Sequence, residues 1–569
     1  MAALFRCALP RPSPKAVSYE TFRRPALIRS TTALLAFALL SSTALAKAPD
    51  ISLTTLKDVT KTLSDDSFEG RAPATPGEEK TIKLIADRFA KAGLKPGNGT
   101  SWYQDVPLVE ITAKNISPMT FTGGKTPVSL AFSTDMVVGT NRVVPHVDVT
   151  NSDTVFVGYG INAPEKGWND YAGLDVKGKT VIILINDPDY QTKTLDGDFN
   201  GRAMTYYGRW TYKFEEAARQ GAAAAIIVHD TEPAAYPWGV IQGSWDGPRL
   251  GADSADGHMD QSLAIGWMQL DAAKKLMASA GQDFDALSAA ARQKGFKAVP
   301  LGVKASVSFD TSIRKQASKN VVGLLPGKTR PDEYVMFTAH WDHLGICPAV
   351  KGDNICNGAV DNASGTAGLI ALAEAYAKAG AADRSMLFVA VTAEESGLLG
   401  SQYYAENPLH PLGKTVGGVN MDSLNLFGRT RDVTVTGPGK SELDDYLARA
   451  AKAQGRVITA ESTPEKGHYY RSDHFSFAKL GVPMLAAGSG DDLEKGGTAA
   501  GMAAAEDYVT HRYHKPQDEY NPDWDWGGAV QDLQLYYTIG RELADSDAWP
   551  NWMPTDEFRA IRDKSRAGQ

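Results

Sequence analysis

The sequence predicts an α/β protein: a mixed, mainly parallel central sheet flanked by helices, with a smaller β-rich α/β domain inserted in the chain. Three observations carry this expectation. Apolar runs without alternation at 334–339, 386–391 and 482–486 are the pattern of strands covered on both faces. An Ala-rich helical stretch, 365–379, separates the first two runs, giving strand–helix–strand order. Between about 136 and 300 the texture changes to short strand-like runs broken by Gly, Asp and Pro.

Taken in order, residues 1–46 read as a removable leader. Six cations (Arg6, Arg11, Lys15, Arg23, Arg24, Arg29) precede the apolar run 32–40, and Ala44-Leu45-Ala46 fits the small-x-small rule for cleavage after Ala46. The run is well short of the roughly 20 apolar residues that a spanning helix needs. Export to the periplasm or beyond is expected, with no membrane anchor once the leader is gone. From 50 to 98 the pattern is helical, with Ile82, Ile85, Phe89 and Leu94 on one face and Gly93 near the end. In the inserted stretch, 154–157, 180–185 and 222–228 read as strands and 217–221 as the end of a helix. The last helix is expected at 530–543. The expected division is leader 1–46, main domain 47–135 and 301–548, insertion 136–300, and tail 549–569.

Lys plus Arg number 59 against 67 Asp plus Glu, a formal charge of -8. Removing the leader takes away six cations and the one anion Glu20, so -8 - 5 = -13 for the remainder. That balance argues against nucleic acid, which calls for clustered positive charge. With Cys7 in the leader, two cysteines remain, Cys347 and Cys356. A disulfide between them suits an oxidising compartment; two free thiols or a metal pair are the alternatives, although the spacing matches no common zinc knuckle.

The chemistry-bearing residues fall at strand ends. His340 and Asp342 close the first apolar run in Ala339-His340-Trp341-Asp342-His343. Asp361 lies in the turn that opens the Ala-rich helix. Glu394 and Glu395 follow the next run, Asp422 follows another, and His514 stands in Arg512-Tyr513-His514-Lys515. Ligands in open α/β sheets bind outside the carboxyl ends of strands. Any one of these acids alone reads as a helix cap or solvated surface. Together, two histidines and three carboxylates are the inventory of a two-metal site with one bridging carboxylate, leaving one acid as a base. Imidazole with carboxylate suits zinc, with manganese or cobalt as alternatives. Neither H-E-x-x-H nor G-x-S-x-G occurs, which removes the commonest zincin and serine-hydrolase readings.

In that order, the motifs resemble the co-catalytic two-zinc aminopeptidase and glutamate carboxypeptidase family, over about 50–110 and 305–545. The stretch Phe68-Glu69-Gly70-Arg71 is also like the family's N-terminal region. The insertion, with Phe156-Val157-Gly158-Tyr159-Gly160, resembles the protease-associated domain that many members carry. The resemblance implies a zinc exopeptidase fold. It implies His340 and His514 as ligands of different zincs, Asp361 as the bridge, and Glu395 and Asp422 as the remaining ligands. Glu394 would be the general base acting on a metal-bridging hydroxide, Asp342 the acid orienting His340, and Tyr513 a donor to the oxyanion. Tyr470, Ser472, Asp473 and His474 sit where the family lines its substrate cleft. The Gly-rich run 488–501, with Asp491, Asp492 and Glu494, reads as a loop over the site.

The expected function is an exported aminopeptidase acting on peptides. A glutamate carboxypeptidase-like enzyme is the alternative; it would want an arginine cluster, for which Arg429, Arg431, Arg471 and Arg512 are candidates. Glutaminyl cyclisation and a non-catalytic receptor on the same fold stand further off.

Overall fold

A computed structural model describes residues 50–568. The expected leader lies outside them. The framework is a fifteen-stranded mixed sheet. Its backbone is the strand Val299–Leu325, 27 residues long. Its first part alternates, burying Leu301, Val303, Ala305, Val307 and Phe309, as a half-covered strand does. Near its end Asn320 to Val322 are all buried. There it pairs antiparallel with Arg384–Val391, and earlier with Tyr103–Lys114 and His146–Phe156.

Beyond that strand the sheet is parallel. Arg330–His340 lies between Arg384–Val391 and Thr415–Asn420, and Met484–Leu485 pairs parallel outside Thr415–Asn420. Side chains alternate between two helical layers. Val335, Phe337 and Ala339 join the core under the helices Leu53–Leu63, Pro76–Ala92, Gly365–Ala379 and Gly527–Asp545. Met336, Leu387, Val389 and Val391 face the opposite way, towards Tyr404 and Phe477. This two-sided burial explains the continuous apolar runs. The helix Pro76–Ala92 buries Ile82, Ile85 and Phe89 and ends at Gly93, whose φ of 92° suits a residue without a Cβ.

Residues from 119 to 309 build a separate hydrophobic core around Val149, Ile182, Ile226 and Val307. There His146–Phe156, Thr180–Leu184, Ala224–His229 and Ala264–Gln269 run parallel, side by side. The segment after 549 packs onto the main sheet's helical layers. Trp552 donates to the Gly481 carbonyl, and the buried Arg562 donates to those of Thr415 and Val416. The run 488–501 is a loop only in part, since the Ala-rich stretch from Gly497 opens the helix Gly497–His511. Cys347 and Cys356 form a disulfide within the hairpin Gly345–Val350 and Asp353–Cys356. No helix among the described residues is long and apolar enough to cross a membrane.

Candidate metal centre

The parallel strands bring their carboxyl ends to one edge, and the residues that follow them meet there. His340 ends its strand fully buried, with Nε2 3.3 Å from Asp361 Oδ1 and 3.4 Å from Asp422 Oδ1. Asp361 precedes the helix Gly365–Ala379, and the Asp361–Asn362 peptide is cis. The Asn362 side chain ties this turn to the loop of Asp422. Its Oδ1 accepts from Gly365 and Ser423, and its Nδ2 donates to Met421. Asp361 Oδ2 lies 3.3 Å from His514 Nε2, whose other carboxylate neighbour is Glu395 Oε2 at 3.0 Å. Asp361 thus faces both histidines, one from each side chain oxygen.

Glu394 and Glu395 follow Ala393, whose φ of 53° turns the chain sharply. Asp342 accepts from the backbone N–H of both, at 3.1 and 3.4 Å, so the buried Asp342 carboxylate fixes how the pair diverges. The Nδ1 of His340 lies 3.2 Å from the Asp342 carbonyl and 3.8 Å from its carboxylate. Asp342 therefore meets His340 chiefly through its backbone, and the glutamates through its side chain. Ser472 donates to Asp422 Oδ2 at 2.6 Å. Asp473, fully buried, has two side-chain oxygens without hydrogen-bond partners. Tyr513 stacks on the His514 ring at 3.8 Å and is 43% exposed.

Two cleft candidates are placed differently. Tyr470 donates to Glu557 at 2.9 Å within an aromatic cluster with Phe475 and Tyr206. His474 is buried edge-on against Tyr469 at 4.6 Å. Two of the three acids of the run 488–501 are engaged as well: Asp492 pairs with Arg431 and Glu494 with Arg429. Arg512 pairs with Asp507. Of the four arginine candidates only Arg471 is left without an ion pair among the described residues. A second arginine, Arg209, lies within its electrostatic reach, 8% exposed and with an unpartnered Nε.

Three further residues, to which the sequence assigns no role, complete the centre. His343 is fully buried, its Nδ1 2.6 Å from Glu395 Oε1 but without hydrogen-bond alignment. Gly358 sits behind it at φ 54°, where a Cβ would lie 2.5 Å from the His343 ring. Asp518 accepts from the N–H of Val360 and of Asp361, both at 3.0 Å, and holds the turn. Arg71 is completely buried. It donates to the carbonyls of Trp341, Leu63, Asn357 and Gly358 at 2.6 to 2.9 Å, gripping both loops that carry His340 and Asp361.

Electrostatics single out the same place. Burial pushes Asp342 up to about 7. Burial also raises Glu394, helped by Asp422, Asp473 and Glu395. Burial opposes the charged form of His514, but hydrogen bonds to Asp361 and Glu395 outweigh it and lift the ring to about 10. Burial lowers Arg71 to about 10, with Asp518, Asp342, Asp361 and Glu395 supporting its charge, so it remains a cation at neutral pH. Two groups of donors could each hold a metal ion, His340 with Asp361 and Asp422, and His343 with Asp361 and Glu395, sharing Asp361. Imidazole plus carboxylate, with unpartnered Glu395 Oε1 and His343 nitrogens, fits divalent cations such as zinc.

Residues 320–538 match peptidase family M28. The mouse protein Aminopeptidase NAALADL1 is 33% identical over 159 residues, covering 27% of this chain and 19% of its own length. The Glutamate carboxypeptidase 2 homolog of Caenorhabditis elegans is 31% identical over 129 residues, covering 22% of this chain and 15% of its own. The chain therefore spans less than a fifth of the length of these curated relatives. A solved aminopeptidase from Aneurinibacillus sp. strain AM-1 aligns over 88% of this chain and 95% of its own, at 20% identity and a TM-score of 0.46.

Proposed function

We propose, from the premise that residues 320–538 belong to peptidase family M28, that this chain is an exported, zinc-dependent exopeptidase of aminopeptidase type. One observation carries the reading: Asp361 is shared between His340 with Asp422 on one side and Glu395 with His514 and His343 on the other, and Glu394 acts on His340 by its charge from outside both donor groups. His340, Asp361 and Asp422 would hold one zinc, and Asp361, Glu395 and His514 the other, with His343 supporting Glu395. A zinc pair held there would supply polarisation of the scissile carbonyl and a water made nucleophilic at neutral pH.

The remaining work belongs to side chains. Glu394, its proton affinity raised by burial and by neighbouring carboxylates, takes a proton from the attacking water and delivers it to the leaving amine. Asp342 keeps Glu394 and Glu395 diverged through their backbone N–H groups. Tyr513 donates to the developing oxyanion. Ser472 holds Asp422 in place. The leader 1–46 directs export, and 136–300 is an inserted protease-associated domain, a reading supported by the separate hydrophobic core to which it contributes with flanking residues from 119 to 309.

The test is the purified protein, with metal content measured, against aminoacyl and carboxyl-terminal reporter substrates. Cleavage of aminoacyl reporters, lost on chelation and restored by zinc, is expected. No cleavage of any reporter with two zincs bound would contradict the reading. A carboxypeptidase is favoured instead by the unpaired Arg471, within electrostatic reach of Tyr513, with Arg209 beyond it. Cleavage of carboxyl-terminal reporters alone, lost in R471Q, would select that reading.

A further inference from the structure

The four parallel strands of the second core end together at a cavity of about 370 Å³ that none of the metal-centre residues line. Tyr159, Leu184, Val228 and Leu270, at or just beyond the carboxyl ends of those strands, line it with Phe284. The carboxyl edge of a parallel sheet is where open α/β folds bind ligands. Four charged side chains line the cavity. Lys274 and Asp285 pair with each other at 3.3 Å. Arg292 and Asp230 are in no ion pair among the described residues, and they do not pair with one another. Arg292 Nε is buried without a hydrogen-bond partner, and so is the hydroxyl of Ser288, which is 9% exposed. Ser288 and Arg292 stand four residues apart at the end of the helix Phe284–Ala291, and so share one face.

Polar groups withdrawn from water without partners are costly, and native proteins rarely leave them so. The cavity therefore offers a cation in no ion pair, with its Nε free and the Ser288 and Tyr159 hydroxyls near it, an anion in no ion pair, and an apolar wall. We infer that it binds an α-amino acid with an apolar side chain, its carboxylate on Arg292 and Ser288 and its ammonium on Asp230. The volume is at the low end for small-molecule sites, enough for an amino acid or a dipeptide and too little for a long peptide. This site goes beyond the proposed peptidase activity. Such zwitterions are products of exopeptidase action, so only a product-sensing role would rest on that reading.

Isothermal titration of the full-length chain with L-leucine tests the inference, alongside leucinamide, which lacks the carboxylate, and 4-methylpentanoate, which lacks the ammonium. Saturable leucine binding is expected. It should weaken at least about tenfold in R292Q and in D230N, and for each probe missing a charge. S288A, the mildest change, should weaken it to a smaller extent. Thermal melts verify that the variants fold, and kcat/KM on an aminoacyl reporter should stay unchanged in all three. No saturable binding up to about 10 mM, or leucine binding equal in wild type, R292Q and D230N, would overturn the inference. Reporter hydrolysis is read separately, so failure of the peptidase reading and failure of this one are distinguishable.

Discussion

Replacing Arg71 by methionine removes a guanidinium that grips both ligand-bearing loops. Four carbonyls, those of Leu63, Trp341, Asn357 and Gly358, lose this donor. Gly358 still accepts from the Ala363 N–H; each of the other three acceptors, left buried without a partner, costs about 1 kcal/mol or more, so the loss is about 3 kcal/mol. That is a large share of a domain's stability of roughly 5–15 kcal/mol. Relief from burying a charge offsets some of it, but the acidic cluster loses a fully buried cation at the same time. Arg71→Lys keeps the charge without the planar fork and should fall between wild type and R71M. Denaturant unfolding measures the stability, and metal retained after dialysis reports on the loops. R71M within about 1 kcal/mol of wild type, with metal retention unchanged, would refute the clamp.

Asp518→Ala removes the acceptor for two backbone N–H groups of the Asp361 turn, and should weaken zinc binding about 10–100-fold in chelator competition. Burial pulls His474 down to about 4 from 6.5, so the unfolded chain takes up this proton first as pH falls. Stability should drop by about 3 kcal/mol between pH 6.5 and 4, and His474→Leu should flatten that limb in unfolding of the metal-free protein. Reducing the disulfide reopens a short loop beside Asn357 and Gly358, and should cost about 3 kcal/mol in the same unfolding assay.

The parts of the structure legible in the sequence are those written in local pattern. The apolar runs before His340, Glu394 and Asp422 announce strands because both faces are covered, and a polar residue directly after such a run lies at the sheet's edge. The Ala-rich helix after Asp361 is equally local. Less legible are residues whose role comes from long-range contact. Arg71 and Asp518 act through backbone groups far away in sequence, and arginine and aspartate in a loop read as solvated surface. His343 carries one usable signal, its place three residues after His340, but only the fold shows it turned towards Glu395. Asp492, Glu494, Arg429 and Arg431 look like free charges until folding pairs them. The long strand Val299–Leu325 is hidden because its alternating first part and continuous end obey two different patterns.

The most direct measurement of the central claim is Glu394→Ala, assayed together for bound metal and turnover of an aminoacyl reporter. Glu394 is assigned to protons and its neighbour Glu395 to metal, so the variant should keep wild-type zinc content and lose nearly all turnover, while His340→Ala and Asp361→Ala lose both. Loss of zinc from Glu394→Ala, or turnover persisting near the wild-type level, would contradict that division of labour.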